Sequence, residues 1–278
     1  MLSADRMRQF VRDGYTTVEI ELDEFLLAQA MALVWEFCPP SFRPDDPTSW
    51  TGMVTDSCIT RSMAERQGRL KYRECARAFH SIRALTVNNE ALRETVKSLI
   101  SPRTPDGKPA RFMPIFRGLY PIFSQPREVC RVRAHCDTHF FQVGTVMYLN
   151  ETGPEDGAFV VWPGSHRLIA PHAYGLTHTH TPEGFDALCA RIEREIEPVC
   201  VTGGPGTVIL WHSRLLHSAG VNCTGGVRYG LLSDFKNGMA DARCHLRNDR
   251  PFDETWSPEV MAIESGHDGL QPLEGMAG

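Results

Sequence analysis

From residue 110 onward the chain changes texture, and this change limits the fold more than any other feature. Short runs rich in Val, Ile, Leu, Phe and Tyr alternate with Gly- and Pro-containing turns, near 111–119, 129–135, 142–149, 158–162, 198–202, 207–212 and 227–235. Such residues suit a pleated surface, and many short strands without intervening helices bury their apolar faces as a sandwich or a jelly-roll barrel. One interruption is expected. Pro182 to Glu197 opens acidic and spaces Phe185, Leu188, Ile192 and Ile196 as one helical face.

The first hundred residues read differently. Ser3 caps a predicted helix over Ala4–Asp13, with Met7, Phe10 and Val11 inward, and Gly14 stops it. Tyr15 to Ile20 alternates as a strand. Asp23 caps a helix from Glu24 to Cys38, whose Leu26, Ala30, Leu33, Val34 and Phe37 form one stripe; Pro39-Pro40 ends it. Residues 41–68 are polar and irregular and read as a long surface loop, 69–100 read as helical, and the tail after Asp241 has little periodicity and reads as a surface wrap.

Composition excludes several function classes. Net charge is −5 and no basic run of five residues occurs, so nucleic acid is not an expected partner. No apolar stretch approaches the roughly 18 residues that span a bilayer, and the first residues lack the apolar run of a signal peptide. The nine cysteines are scattered without a CxxC pair, which argues against a disulfide framework or a zinc site and for a reducing, cytoplasmic setting.

Chemistry concentrates in two stretches. His135-Cys136-Asp137 places two ligand-type side chains two apart, so on a strand both face one side, while Cys136 faces the other. A third ligand must come from elsewhere, and His217 follows the apolar run Gly206 to Trp211 after a short bend. Two histidines and one carboxylate are the ligand set of a non-haem Fe(II) oxygenase, which leaves coordination positions open. A bare HxD is common by chance, so its weight depends on the surrounding motifs.

Those motifs resemble the phytanoyl-CoA dioxygenase-like family of Fe(II)/2-oxoglutarate-dependent oxygenases. The opening Phe10 to Val18, the segment Gly157-Ala158-Phe159-Val160-Val161-Trp162-Pro163-Gly164-Ser165-His166, and the sequence from His217 through Asn222 to Arg228 match the family's pattern in order. The likeness extends over the chain to about residue 236. It implies a mainly β fold with flanking helices: a double-stranded β-helix (a jelly-roll, cupin-like barrel) with N-terminal helices packed on one sheet. It also implies one domain over 1–278, with 1–109 as mostly helical support and lid, 110–240 as the jelly-roll core and 241–278 as a C-terminal wrap. Fe(II) would be held by His135, Asp137 and His217, with 2-oxoglutarate and O2 as co-substrates. Arg228 would pair the far carboxylate of 2-oxoglutarate, since a guanidinium fork binds a carboxylate bidentately and keeps its charge. Related halogenases carry Gly or Ala in place of the aspartate, so Asp137 points to hydroxylation of a C–H bond or another hydrogen-abstraction outcome: desaturation, cyclisation or bond cleavage. The sequence departs from many relatives in having Ala219 two beyond His217, where a serine helps to hold 2-oxoglutarate. Thr145 or Tyr148 on the adjacent strand is the expected substitute.

Other residues carry open readings. Arg131 and Arg133 share the face of His135 by alternation, and with Arg117 they are candidates to bind an anionic substrate; surface or barrel-end salt bridges are the alternative. Trp162 is a candidate substrate platform or a core residue. His166 reads as fixing the Pro163-Gly164 bend, His212 as orienting a ligand or filling the core, and His172, His178 and His180 as a solvated loop. Residues 41–68 and 168–182 are expected to form the pocket lid. The expected partner is a small molecule, with the protein a monomer or homodimer. A cupin-like binding protein without catalysis is a remote alternative.

Overall fold

The computed structural model describes residues 1–50, 72, 79–104, 107–124, 133–238 and 250–266. Its centre is a pair of antiparallel sheets. Strands β1 (Tyr15–Glu19), β2 (Phe112–Leu119), β3 (Val143–Tyr148), β6 (Thr207–His212) and β8 (Gly230–Asn237) form the larger, in the order β1-β6-β3-β8-β2. Strands β4 (Phe159–Val161), β5 (Val199–Val201) and β7 (His217–Ala219) form the smaller, in the order β5-β4-β7. Non-sequential neighbours joined by crossovers are the jelly-roll pattern.

Side-chain alternation sorts the core into layers. On β3, Val146 and Tyr148 face the space between the sheets, together with Ile209, Trp211, Phe159, Val161 and Leu232. Val143 and Met147, on the other face, pack with Phe10, Ala30, Leu33 and Val34 from the N-terminal helices α1 (Ala4–Asp13) and α2 (Glu24–Phe37). On β4, Val160 and Trp162 face outward, under the short helix α5 (Ser165–Ile169) and the inserted helix α6 (Phe185–Glu195).

The local rules explain the best-anticipated elements. Ser3 Oγ accepts from the Arg6 N–H, Asp23 accepts from the Leu26 N–H, and Gly14 closes α1 at φ 79°. Elsewhere the sequence reading needs correction. The described part of 69–100 holds two short helices, α3 (His80–Leu85) and α4 (Glu90–Lys97), separated at Thr86 to Asn89, where Asn89 caps the second. The described part of the tail, 250–266, is not a surface wrap: Phe252, Trp256 and Val260, the last on α7 (Pro258–Glu264), are buried, and Phe252 and Trp256 pack against Phe10. The strand expected at 129–135 lies largely outside the described residues, and its end pairs through the single bridge His135↔His217. Most of the 41–68 loop is likewise outside them, apart from a 3-10 turn at Pro47–Ser49. No helix among the described residues is long and apolar enough to cross a membrane.

Candidate metal centre

His135, Asp137 and His217 converge at the edge of the smaller sheet. Their nearest ligand atoms all lie within 4.8 Å of one another. The backbone builds this convergence: His135 and His217 exchange both N–H···O=C bonds at 3.0 Å, so the two imidazoles stand side by side with ring centroids 4.7 Å apart. Asp137 returns to the same face by alternation, and its Oδ2 lies 3.5 Å from His217 Nε2.

The imidazoles are oriented for ligation. His135 Nδ1 donates to the Arg133 carbonyl at 3.0 Å and His217 Nδ1 to the Leu215 carbonyl at 2.9 Å, because a carbonyl can only accept. In the neutral ring each Nε2 then keeps its lone pair, the form a metal requires. Burial lowers the pKa of His217 to about 4 against the pull of Asp137, which keeps that ring neutral. Burial would raise the Asp137 pKa, but the charge of Arg117 and its hydrogen bonds hold it well below the usual carboxylate range. Two imidazoles, an ionised carboxylate and no thiolate suit Fe(II).

The remaining candidates fall into different places. Arg228 is buried against the inter-sheet core: Nε donates to the Gly157 carbonyl at 3.1 Å, Nη1 to the Tyr120 carbonyl at 3.4 Å, and Cζ lies 5.7 Å from the Tyr148 ring centre. A run of contacts joins it to the metal ligands, since the Tyr148 hydroxyl accepts from the Phe159 N–H at 2.8 Å and Phe159 stacks on His217 at 5.3 Å. Tyr148 is thereby excluded as a free donor, because its hydroxyl also gives its proton to the Val201 carbonyl at 2.7 Å. Thr145 lies on the face of β3 that carries Val143 and Met147, toward the helices, and its hydroxyl donates to the Ser233 carbonyl. Neither residue fills the place of the missing serine. Trp162 is fully buried on the outer face of the smaller sheet, so it packs and offers no substrate platform.

Among the arginines, Arg133 is exposed and Arg131 lies outside the described residues. Arg117 is committed to carboxylates, with Nη1 to Asp137 Oδ2 at 2.9 Å and Nη2 to Asp137 Oδ1 at 3.0 Å. Asp234 and His139 escaped the sequence reading, and His178 was expected only in a solvated loop. Asp234, fully buried on β8, takes Arg117 Nη1 at 3.5 Å and bonds His139 Nε2 at 2.8 Å. The detectable signal was a lone carboxylate between the apolar pair Leu231-Leu232 and Phe235. His178 reaches Thr138 Oγ1 at 2.5 Å and stacks on His139, which brings the Thr177–His180 turn beside Asp137. His166 and His212 are core residues: Nε2 of each bonds a backbone carbonyl, of Val11 at 3.2 Å and of Pro251 at 2.7 Å.

Two facing antiparallel sheets with a His-Asp-His cluster on one edge define a cupin-type non-haem iron oxygenase. The comparisons give the family. The model for phytanoyl-CoA dioxygenase (PhyH) matches residues 64–230, and the chain belongs to that family. It is a non-haem Fe(II) enzyme that uses 2-oxoglutarate and O2 as co-substrates. Among solved structures it resembles the non-heme alpha ketoglutarate dependent carbocyclase SnoK from nogalamycin biosynthesis, at 15% identity and a TM-score of 0.56, covering 92% of this chain and 95% of that one. EctD from S. alaskensis, solved with 2-oxoglutarate and 5-hydroxyectoine, matches at 20% identity and 0.55, covering 84% and 76%. The epimerase SnoN from nogalamycin biosynthesis matches at 17% and 0.51, covering 91% and 97%. No curated protein matches the sequence.

Proposed function

We propose that this oxygenase hydroxylates an unactivated C–H bond of a small anionic molecule, with release of succinate and CO2. The observation that carries this reading is the trio His135, Asp137 and His217, with both Nε2 lone pairs and one carboxylate gathered within 4.8 Å. These three would hold Fe(II), which when bound with 2-oxoglutarate supplies the oxidising power for hydrogen abstraction. Arg228 would pair the far carboxylate of 2-oxoglutarate. Its guanidinium stays charged although burial lowers its pKa, and the two backbone carbonyls fix its direction. The metal's open side would be walled by the Thr177–His180 turn, consistent with a lid over 168–182.

An anionic substrate is supported by Arg133, which alternation places on the side of His135 and which is exposed. Arg131 remains a candidate alongside it. Arg117 is left out of this role. The protein would act as a single domain in the cytoplasm, as a monomer or homodimer.

A second reading has support in the similar structures, which include a carbocyclase and an epimerase. One fold and one cofactor set then serve desaturation, ring closure or oxidative cleavage. The deciding experiment supplies Fe(II), 2-oxoglutarate and O2 with a panel of small carboxylates, phosphates and phosphonates, and reads succinate together with product mass. Hydroxylation adds one oxygen; desaturation or ring closure removes two hydrogens. Succinate release by no panel member, with no stoichiometric iron binding, would sink the enzymatic reading of these three residues.

A further inference from the structure

Arg117 stands where regular strand geometry would not put it. Along β2 the register runs to Phe116↔Ser233 and resumes at Gly118↔Leu232, so Arg117 is the extra residue of a β-bulge, a feature that re-aims side chains beside active sites. The bulge needs glycine next to it. Gly118 has φ 154°, and a Cβ there would come within 2.7 Å of the Tyr72 carbonyl oxygen and 2.8 Å of the Tyr120 ring.

Turned inward, the guanidinium lies with Cζ 5.9 Å from the Phe141 ring centre. Its two terminal nitrogens grip both oxygens of Asp137, at 2.9 and 3.0 Å, and Nη1 also reaches Asp234 Oδ1 at 3.5 Å. Nε is buried without a hydrogen-bond partner, so the side chain's polar contacts are with carboxylates. Asp234 is tied in turn to His139.

We propose that Arg117 is a positioning residue that makes Asp137 a one-oxygen ligand. The inference rests on the reading of His135, Asp137 and His217 as the metal ligands. Asp137 Oδ2 accepts from Arg117 Nη1 and also faces His217 Nε2 at 3.5 Å, while Oδ1 accepts from Arg117 Nη2. A free carboxylate could rotate and chelate a divalent ion through both oxygens, which would consume a fourth coordination position. The fork prevents that rotation and preserves three adjacent positions for the keto acid and dioxygen. Asp234 balances the charge of Arg117 and fixes its placement.

The test uses the full chain without 2-oxoglutarate, with Mn(II) binding followed by electron paramagnetic resonance and Co(II) coordination by visible absorption. Arg117→Lys retains a charge between Asp137 and Asp234 but lacks the fork; Arg117→Met lacks both. Thermal unfolding identifies the variants that fold, and Arg117→Lys decides if Arg117→Met does not. The expected result is a change in Co(II) band intensity as the carboxylate chelates, with a Mn(II) affinity shifted by more than about twofold, and smaller changes in Asp234→Asn. Folded Arg117→Lys with Mn(II) affinity within about twofold of the unsubstituted protein and the same Co(II) spectrum would overturn the proposal. So would unchanged metal binding with a raised 2-oxoglutarate requirement, which would make Arg117 a co-substrate ligand. Failure of the unsubstituted protein to bind Mn(II) would instead overturn the ligand reading beneath it.

Discussion

Arg228 and Tyr148 share the buried end of the inter-sheet space and are held to different tasks by their hydrogen bonds. Tyr148 spends its hydroxyl on Val201 and Phe159 and so ties β3 to β5 and to the central β4 of the smaller sheet. Tyr148→Phe should cost about 1–3 kcal/mol of stability, read from urea unfolding, with the 2-oxoglutarate requirement unchanged. Arg228→Ala should do the reverse in activity assays. It should raise the 2-oxoglutarate concentration needed for half-maximal succinate release by roughly 10- to 100-fold, the worth of a charge-assisted pair. His135→Ala and Asp137→Ala should abolish succinate formation and stoichiometric iron binding. Full activity in Asp137→Ala would refute the ligand assignment.

Between elements, the most economical junction is the end of α1. Gly14 closes the helix at φ 79° and leaves room for His166, whose Nδ1 would lie 2.5 Å from a Cβ at that position. The His166 Nε2 meanwhile bonds the Val11 carbonyl in the same helix. Helix α1 and the Pro163-Gly164-Ser165-His166 turn thus lock together through one glycine. Gly14→Ala combines left-handed backbone strain with a clash and should cost about 2–4 kcal/mol, measured by denaturant midpoint with circular dichroism. At this scale the sequence was easiest to read where caps and stripes are local, as in α1, α2 and α6. It was hardest to read at β7, whose His-Ser-Ala has no strand propensity and exists because Val161 and Val160 pair with it.

Across the whole molecule, stability depends on two histidines buried as neutral rings. Burial lowers the His212 pKa to about 3 from 6.5, and burial likewise drives His166 well below 6.5. As pH falls below 6.5 the unfolded chain takes protons that the folded chain refuses, so the stability these residues confer is complete above 6.5 and is lost toward about 3. The urea midpoint should therefore fall steadily over that window. A flat profile between pH 6.5 and 4 would contradict the burial of both rings. Both histidines pack against the Phe252–Trp256 segment, His166 edge-on to Phe252 and His212 stacked on Trp256, which places this segment in the same cooperative unit as α1.

The sequence alone determined the alternating strands, the helix caps, and the placement of His135 and Asp137 on one face, because each of these is set by neighbours a few residues away. It also carried the family pattern through Arg228. Only the tertiary structure decided which groups meet across the chain. The cross-strand exchange between His135 and His217, the bulge that turns Arg117 onto Asp137, the burial of Asp234 beside it, and the face on which Thr145 and Trp162 fall all depend on strand register. Register follows from pairing between segments as distant in the chain as Tyr15 and Trp211, and a slip of one residue would exchange inside for outside.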